Sequence, residues 1–466
     1  MEKIFFYCLL SLIYFNQINS RNITKIPFKL YPTNKFFPNQ THPLTSNYMS
    51  QIVIELSIGT PPQFLNLSLN LNSFYSLFLS HKIPDIELNK FYNKSLSKTY
   101  NCISAKKYYY QQDFDEAEIF SDILYLSPNE KNGYNFSFLL IDGLGYNVPN
   151  EFYAPGIIGL RLKNENDYFQ TDQNRFLYQL KKNNLTKTET FYFDFDDKDD
   201  NNGYFIIGED LFDDADNFLQ IKVGYLYNPT LLPEWSFNFD NVYYGNTSIK
   251  ESFDALIKTE NGLILGPSSY EDIIKQFFLN STKCYFNHTK MGYATYKYYF
   301  CEKDFDENIM EDLIFELSSI NYSFVFHGKE LFTTEENGMK YFKILFLYYV
   351  KNYYWYLGRD FLKKYKLRFD PDRKLIYIPI KNIEDNNSEY SDNNEQNKNK
   401  DGIKEESLYK NPIFWVIICL GIFVIGLIIF IIFCLKKYPR KKRTNEIEDD
   451  GDYDYCYYLI ITPLKK

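Results

Sequence analysis

Short strand-like runs separated by turn signals recur along the chain from Tyr48 to about Ile380. In the clearest run, 65–71, leucine alternates with polar residues at every position, which is typical of a strand with one buried face. Further strands are predicted at 119–126, 135–141, 203–208, 253–257, 261–265 and 374–380, and short helices at 174–183, 269–278 and 360–364. Because about 330 residues exceed what one core usually supports, the pattern predicts a mainly β body of two lobes.

Two apolar runs flank this body. Residues 1–20 have the charged start, apolar stretch and small final residue of a secretory signal peptide. Residues 413–435 contain no charge and are long enough to cross about 30 Å of hydrocarbon as a helix. Lysines and arginines cluster in 436–443, which places that side in the cytoplasm. We therefore expect a single-pass type I membrane protein of the secretory pathway, at the cell surface or an endolysosomal membrane.

The segments around the predicted span differ in composition. Residues 381–411 are polar with almost no aliphatic side chains, as in a disordered stalk. Residues 436–466 form the predicted cytoplasmic tail, in which Tyr457–Ile460 resembles a sorting signal read by coat adaptors. In a chain with 44 tyrosines such a tetrapeptide also arises by chance, so both interpretations stay open.

Composition excludes several classes of function. The net charge of −9 argues against nucleic acid as a partner, because a phosphate backbone needs a basic face. The four histidines form no HxH or HxxxH pair, so no metal site is predicted. No phosphate-binding loop or dinucleotide fingerprint is present, and we expect no cofactor.

Cysteines and glycosylation sequons fit a lumenal or extracellular body. Between the signal peptide and the span the cysteines are Cys102, Cys284 and Cys301. In an oxidising compartment Cys284 and Cys301 are the natural disulfide pair, which leaves Cys102 buried and free or paired between molecules. Acceptor sequons for N-glycosylation begin at Asn22, Asn39, Asn66, Asn93, Asn135, Asn184, Asn246, Asn280, Asn287, Asn321 and Asn386.

A series of motifs in a fixed order identifies a family. The motifs are Gly59-Thr60-Pro61-Pro62-Gln63, Phe120–Leu124, Pro155-Gly156-Ile157-Ile158-Gly159-Leu160, Phe176–Leu180, Gly203–Gly208, Trp235-Ser236-Phe237, Val242–Gly245, and Trp355–Phe361 followed by Arg368-Phe369-Asp370. Together they resemble the pepsin-family aspartic proteases across 48–380. One departure is Pro155, which stands where the family usually has Asp.

This resemblance implies the bilobal pepsin-like acid-protease fold, with a peptide cleft between two pseudo-symmetric lobes and a hairpin flap over it. The N-lobe is expected at about 48–208 and the C-lobe at about 209–380. Residues 21–47 resemble a propeptide, and 26–30 within them resemble its first strand. Tyr110 lies about where the family has its flap tyrosine, although 111–113 replace the usual glycine-rich tip.

The two positions that decide the family's chemistry are substituted. The enzymes use one Asp from each lobe, which share a proton because two carboxylates so close cannot both ionise. The matching turns place Asn70 at the first position and Lys258 at the second. An amide cannot act as a general base, and an ammonium brings the opposite charge. Ser73 and Thr259 keep the expected hydroxyls, whereas Asn72 and Glu260 replace the turn glycines.

The sequence therefore predicts an inactive pseudoprotease that binds peptide or protein segments in its cleft. Two alternatives remain: an active aspartic-type endopeptidase with a non-standard site, or a surface glycoprotein whose cleft is unused. A Ser–Lys hydrolase built from Ser73 and Lys258 lacks any sequence signal for a depressed lysine pKa or an oxyanion hole. We also expect Lys258 to approach Asn70 and Glu260, because a buried ammonium needs a partner.

Overall fold

The structure is a computed structural model, and it describes residues 23–31, 50–81, 91–108, 116–127, 130, 132–143, 154–163, 172–199, 201–209, 217–224, 234–249, 254–260, 262–291, 294–335 and 337–380. The predicted signal peptide, stalk, span and tail lie outside these residues. Within them, no helix has the length and hydrophobicity needed to cross a membrane.

Strands dominate the described part of the chain. The strands up to the middle of the body are β1 (Thr24–Tyr31), β2 (Gln51–Ile58), β3 (Gln63–Asn70), β4 (Leu77–Leu79), β5 (Asn101–Tyr108), β6 (Glu116–Tyr125), β7 (Tyr134–Gly143), β8 (Gly156–Gly159), β9 (Phe191–Phe195) and β10 (Asn202–Ile207). The remaining strands are β11 (Phe218–Lys222), β12 (Ser236–Asn238), β13 (Asn241–Tyr244), β14 (Thr247–Ser248), β15 (Asp254–Ile257), β16 (Ile264–Leu265), β17 (Cys284–Met291), β18 (Ala294–Cys301), β19 (Leu313–Leu317), β20 (Tyr322–Phe326), β21 (Phe332–Thr334), β22 (Lys340–Phe342), β23 (Ile344–Leu347), β24 (Trp355–Leu357), β25 (Arg368–Asp370) and β26 (Leu375–Pro379). The α-helices of the described residues are α1 (Phe176–Lys182), α2 (Ser268–Asn280) and α3 (Arg359–Tyr365).

The strands form one sheet that runs through the first lobe and two sheets in the second. The first has the order β11-β26-β25-β9-β10-β1-β2-β3-β8-β4-β7-β6-β5. The second lobe contains β12-β15-β24-β16-β23-β18-β22-β21, with β17 beside β18, and the smaller sheet β14-β13-β19-β20. The C-terminal strands β25 and β26 therefore return to the first sheet, next to β9 and β11.

The two lobes repeat one pairing pattern. In the first lobe β3 is parallel to β8, β8 is antiparallel to β4, and β4 is parallel to β7. In the second lobe the same three relations join β15 to β24, β24 to β16, and β16 to β23. The pattern places the ends of β3 and β15 at corresponding points of the two lobes.

Aromatic packing joins the lobes. Phe191 and Phe369 stack with ring centroids 4.9 Å apart, and Trp235 packs on Phe369 at the same distance. Trp235 is buried, and its indole Nε1 donates to the Leu160 carbonyl at 2.9 Å. The core therefore continues from the first lobe, through the sheet of β9 and β25, into the second lobe.

The strand β1 is part of this core. It pairs antiparallel with both β10 and β2, and its side chains Ile26 and Phe28 are buried. A Cβ on Gly203, which lies opposite Phe28, would come within 2.4 Å of the Phe28 ring, so the glycine makes room for that ring. This is the strand that the propeptide resemblance singled out.

Cys284 and Cys301 form the predicted disulfide. They face each other across β17 and β18, and their Cα atoms are 4.1 Å apart, slightly less than the usual 4.4–6.8 Å. Cys102 is a free, exposed thiol on β5.

Candidate functional site

The turn after β3 is built around the side chain of Asn70. Its Oδ1 accepts hydrogen bonds from the backbone N–H groups of Asn72, at 2.7 Å, and Ser73, at 3.0 Å. An Asn side chain favours such local turns because its oxygen replaces a backbone carbonyl as acceptor. A Cβ on Gly159 would lie 2.5 Å from the Tyr75 carbonyl, so the glycine lets this turn rest against β8.

The turn after β15 is joined to the first turn through Thr259. This residue is completely buried, and its Oγ1 donates to the Leu69 carbonyl at 2.9 Å and accepts from the Leu71 N–H at 3.3 Å. The hydroxyl of the second turn therefore satisfies backbone groups on both sides of Asn70, and the contact fixes the two turns opposite each other.

A cross-lobe network surrounds this contact, formed by Asn72, Glu234, Lys258 and Glu260. The Lys258 Nζ donates to the Asn72 Oδ1 at 2.6 Å, and the Asn72 Nδ2 donates to the Glu260 Oε1. An ammonium only donates and a carboxylate only accepts, so an amide, which does both, connects the two charges. The Asn72 carbonyl in addition accepts from the Arg161 Nη1 at 3.2 Å.

Lys258 is well paired although little of it reaches solvent. Its side chain is 12% exposed, and Nζ lies 3.9 Å from the Glu234 Oε2 and 5.8 Å from the centre of the Tyr356 ring. Burial raises the pKa of Tyr356, and the charge of Glu234 raises it further, so the phenol stays neutral. The ammonium thus lies between carboxylates and an aromatic face.

Glu260 has a free acceptor among the described residues. Its Oε1 is used by Asn72, whereas its buried Oε2 has no hydrogen-bond partner. An unsatisfied carboxylate oxygen is costly to bury, and it is an unused hydrogen-bond acceptor.

The turns described above fall inside a match to a known family. The description of the matching family is eukaryotic aspartyl protease, and the match covers residues 51–379, which is more than half of the chain. The chain belongs to the eukaryotic aspartyl protease family. A search of curated proteins finds no match.

The aspartyl protease fold explains why these two turns meet. Asn70 ends β3 and Lys258 follows β15, and these two strands hold equivalent places in the two lobes. Neither side chain supplies a carboxylate. The carboxylates nearest to these positions are Glu260 and Glu234, both within contact of Asn72 or Lys258.

The structure brings together most of the residues selected from the sequence. Asn70, Lys258, Thr259 and Glu260 meet at the two turns, while the Ser73 hydroxyl points back to the Tyr75 carbonyl at 2.9 Å. The Lys258 ammonium bonds to Asn72, which in turn bonds to Glu260, while the Asn70 oxygen accepts from its own turn. Tyr110 lies outside the described residues, between β5 and β6.

Sequence reasoning missed the roles of Asn72, Glu234 and Tyr356. The sequence indicates only that Asn72 replaces a turn glycine, whereas in the structure it connects Lys258 to Glu260. Glu234 precedes Trp235 and Tyr356 follows Trp355, two residues of the family motifs. This proximity is the feature of the sequence that could have indicated their place near the turns.

Proposed function

We propose that this aspartyl protease family member is a pseudoprotease, which binds peptide or protein segments between its lobes without cutting them. The proposal depends on what the side chains at positions 70 and 258 do. Asn70 stabilises its own turn, and Lys258 bonds to Asn72. A water held there would meet an amide and an ammonium, and neither is the ionised carboxylate that the family uses as base.

The binding part of the proposal rests on the contacts between the lobes around the turns. Thr259 and Trp235 hold the two lobes in the relation that the family uses to form a cleft. Lys258, as a donor, and the Glu260 Oε2, as an acceptor, offer complementary groups to a peptide backbone. A ligand would then be held by its amides and would not be hydrolysed.

The test is a diverse peptide library incubated with the purified full-length chain at acid and neutral pH, scored separately for new termini and for retained peptides. The proposal expects retention without cleavage. The control is the Thr259→Val variant, whose turns lose their hydroxyl contact and which should retain less peptide. Cleavage that follows the protein through purification, or absence of retention, would contradict the proposal.

A second candidate is an active endopeptidase with a non-standard site, and Glu260 is the observation that favours it. Its Oε2 is a buried carboxylate oxygen without a hydrogen-bond partner in the described part of the chain. Under this candidate Glu260→Gln abolishes peptide cleavage. Under the pseudoprotease proposal the variant changes retention only, because there is no cleavage to lose.

The proposed location is a secretory-pathway membrane, with the body lumenal or extracellular and residues 413–435 as the single span. Glycosidase-sensitive mobility and protection of the body from added protease in sealed vesicles test this topology. If Tyr457–Ile460 binds a sorting adaptor, Tyr457→Ala shifts the protein towards the cell surface. Unchanged distribution of that variant would remove the trafficking role and leave the topology intact.

A further inference from the structure

One surface of the second lobe combines exposed tyrosines with positive charge. It lies where β17 and the segment after β23 meet, and we call it the aromatic–basic surface. Its members are His288, Tyr348, Tyr349, Val350, Lys351 and Tyr353. Tyr349 is 79% exposed and Val350 is 64% exposed, values that are high for large apolar side chains.

Ring contacts link members of this surface in two groups along one segment of the chain. His288 stacks on Tyr348 with ring centroids 4.8 Å apart and planes inclined by 10°. Tyr348 in turn meets Tyr349 edge to face at 4.3 Å, and the Lys351 Nζ lies 5.0 Å from the centre of the Tyr353 ring. The Tyr348 N–H donates to the Thr295 carbonyl at 2.9 Å, which attaches the segment to β18.

A buried side chain holds the segment in place. Asn352 is 6% exposed, and its Nδ2 donates to the carbonyls of Gly266, at 3.0 Å, and Tyr354, at 2.7 Å. Its backbone N–H donates to the Ser268 Oγ at 3.0 Å, and its carbonyl accepts from the Ser268 N–H. Tyr349 and Val350 are therefore presented by an anchored loop, which lowers the entropy lost on binding.

The segments that carry this surface lack acidic residues, unlike the chain as a whole. The chain has a net charge of −9, yet residues 284–301 and 343–358 contain no Asp or Glu. Two acidic side chains from packed elements have partners: Glu271 accepts from Lys297 at 2.6 Å, and Glu302 accepts from the Tyr285 hydroxyl at 2.9 Å. An anionic partner is therefore favoured.

We infer that the aromatic–basic surface docks onto the headgroup region of an anionic lipid bilayer. Tyrosine rings prefer the membrane–water interface, where their apolar body and polar hydroxyl are both satisfied, and lysine pairs there with anionic headgroups. A second copy of this chain is disfavoured as the partner of this surface, because a symmetric contact would bring the Lys351 charges of the two copies together.

The inference rests in part on the membrane anchorage proposed above. Residues 381–412 separate the body from the predicted span, and when fully extended they reach at most about 110 Å. The body therefore stays close to the bilayer, but the tether is long enough for it to turn. A body of this size has a radius of gyration of about 20 Å, so any part of its surface can reach the bilayer. Tethering raises the effective concentration of the surface at the membrane, and a weak contact is then sufficient.

The test uses full-length chains that carry one added tryptophan, reconstituted into vesicles of brominated phosphatidylcholine with or without phosphatidylserine. Val350→Trp reports on the surface, and Leu279→Trp, at a 55% exposed position on α2, is the matched control. The unsubstituted chain gives the background from its native tryptophans. With phosphatidylserine, we expect quenching at position 350 to exceed that at 279 by about two- to threefold, and Lys351→Glu to remove most of the excess.

Equal quenching at positions 350 and 279 would overturn the inference. An excess of quenching at position 350 that neither phosphatidylserine nor Lys351→Glu changes would also overturn it. A fluorescence change caused by soluble polyglutamate but not by vesicles would overturn it as well and would indicate an acidic protein partner. Vesicle flotation at alkaline pH reports separately on the anchor. If alkali removes the chain from the vesicles, but quenching before the alkali treatment depends on lipid, the result contradicts the proposed anchorage and supports docking by the aromatic–basic surface.

Discussion

Individual side chains at the two turns have structural roles. Asn70 satisfies backbone N–H groups of its own turn, and Asn72 joins an ammonium to a carboxylate across the lobes. Thr259 keeps the contact between the turns. The lobes are thus held at this point by bonds that do not depend on a shared proton.

The Thr259 hydroxyl should be important for stability. Thr259→Val keeps the side-chain shape but leaves the Leu71 N–H and the Leu69 carbonyl without that partner. We expect a loss of about 2 kcal/mol in the free energy of unfolding, since each buried unsatisfied group is costly. Thermal unfolding measures the loss. Thr334→Val, at an exposed position of β21, is the control and should change little; equal melting temperatures for both variants would contradict the assignment.

At the level of elements, one arrangement ties α1 to the C-terminal hairpin. The Arg175 Nη2, just before α1, lies 2.7 Å from the Glu189 Oε2, and Lys181 of α1 pairs with Asp372, between β25 and β26, at 2.7 Å. Burial raises the pKa of Glu189 to about 7; Arg175 and Lys181 lower it, whereas Asp372 and Asp172 raise it. The protonation of one carboxyl therefore acts on the contact between two elements.

This pKa predicts how stability changes with pH. Because the folded pKa exceeds the ordinary value of 4.5, the folded state binds the proton more tightly, and the stabilisation present below pH 4.5 is lost as pH rises to about 7. Between about pH 5 and 8 the unsubstituted protein should lose up to about 3 kcal/mol more stability than Glu189→Gln. Thermal unfolding across this range tests the slope, with Glu55→Gln, exposed on β2, as control. Parallel pH profiles for the protein and Glu189→Gln would refute the prediction.

The disulfide between β17 and β18 should contribute measurably to the second lobe. It closes a loop with a sequence separation of 17, for which chain-entropy arguments give about 3 kcal/mol. Replacing Cys284 and Cys301 by alanine should lower the unfolding temperature and make it insensitive to reductant. Cys102→Ser, which removes an exposed thiol of β5, should leave both properties unchanged. If this variant lowered the unfolding temperature by the same amount, the loss of the disulfide would not explain the effect of the alanine replacements.

The element pattern was readable from the sequence because local periodicity and turn residues determine it. The runs predicted at 135–141 and 203–208 became β7 and β10, and the helix predicted at 269–278 became α2. Of the run predicted at 261–265, Ile264–Leu265 form β16, because Gly262 and Leu263 lie in a bend before it. The partner of Lys258 could not be read in this way, since Asn72 lies 186 positions away and only the packing of the lobes joins them.

For the whole molecule, the fold and the two turns support different parts of the proposal. The fold supports binding, and the residues at the turns support the loss of catalysis. The repeated strand pattern and the packing of Trp235 preserve the two-lobed architecture of an aspartyl protease. The turns after β3 and β15 hold Asn70 and Lys258, and neither side chain is a carboxylate. We therefore propose that the fold serves binding and that the chemistry has been lost.

The most direct test of this claim compares two ligands of the full-length chain by titration calorimetry. One is a peptide retained from the library, and the other is the same peptide with a tetrahedral hydroxyl-bearing centre at the bond that faces Lys258. An enzyme binds a mimic of its transition state at least about a hundredfold more tightly than the substrate, because catalysis is differential binding. We predict dissociation constants within about threefold of each other, since a site without catalysis has no such preference. A mimic that binds a hundredfold more tightly would contradict the account and establish a catalytic site.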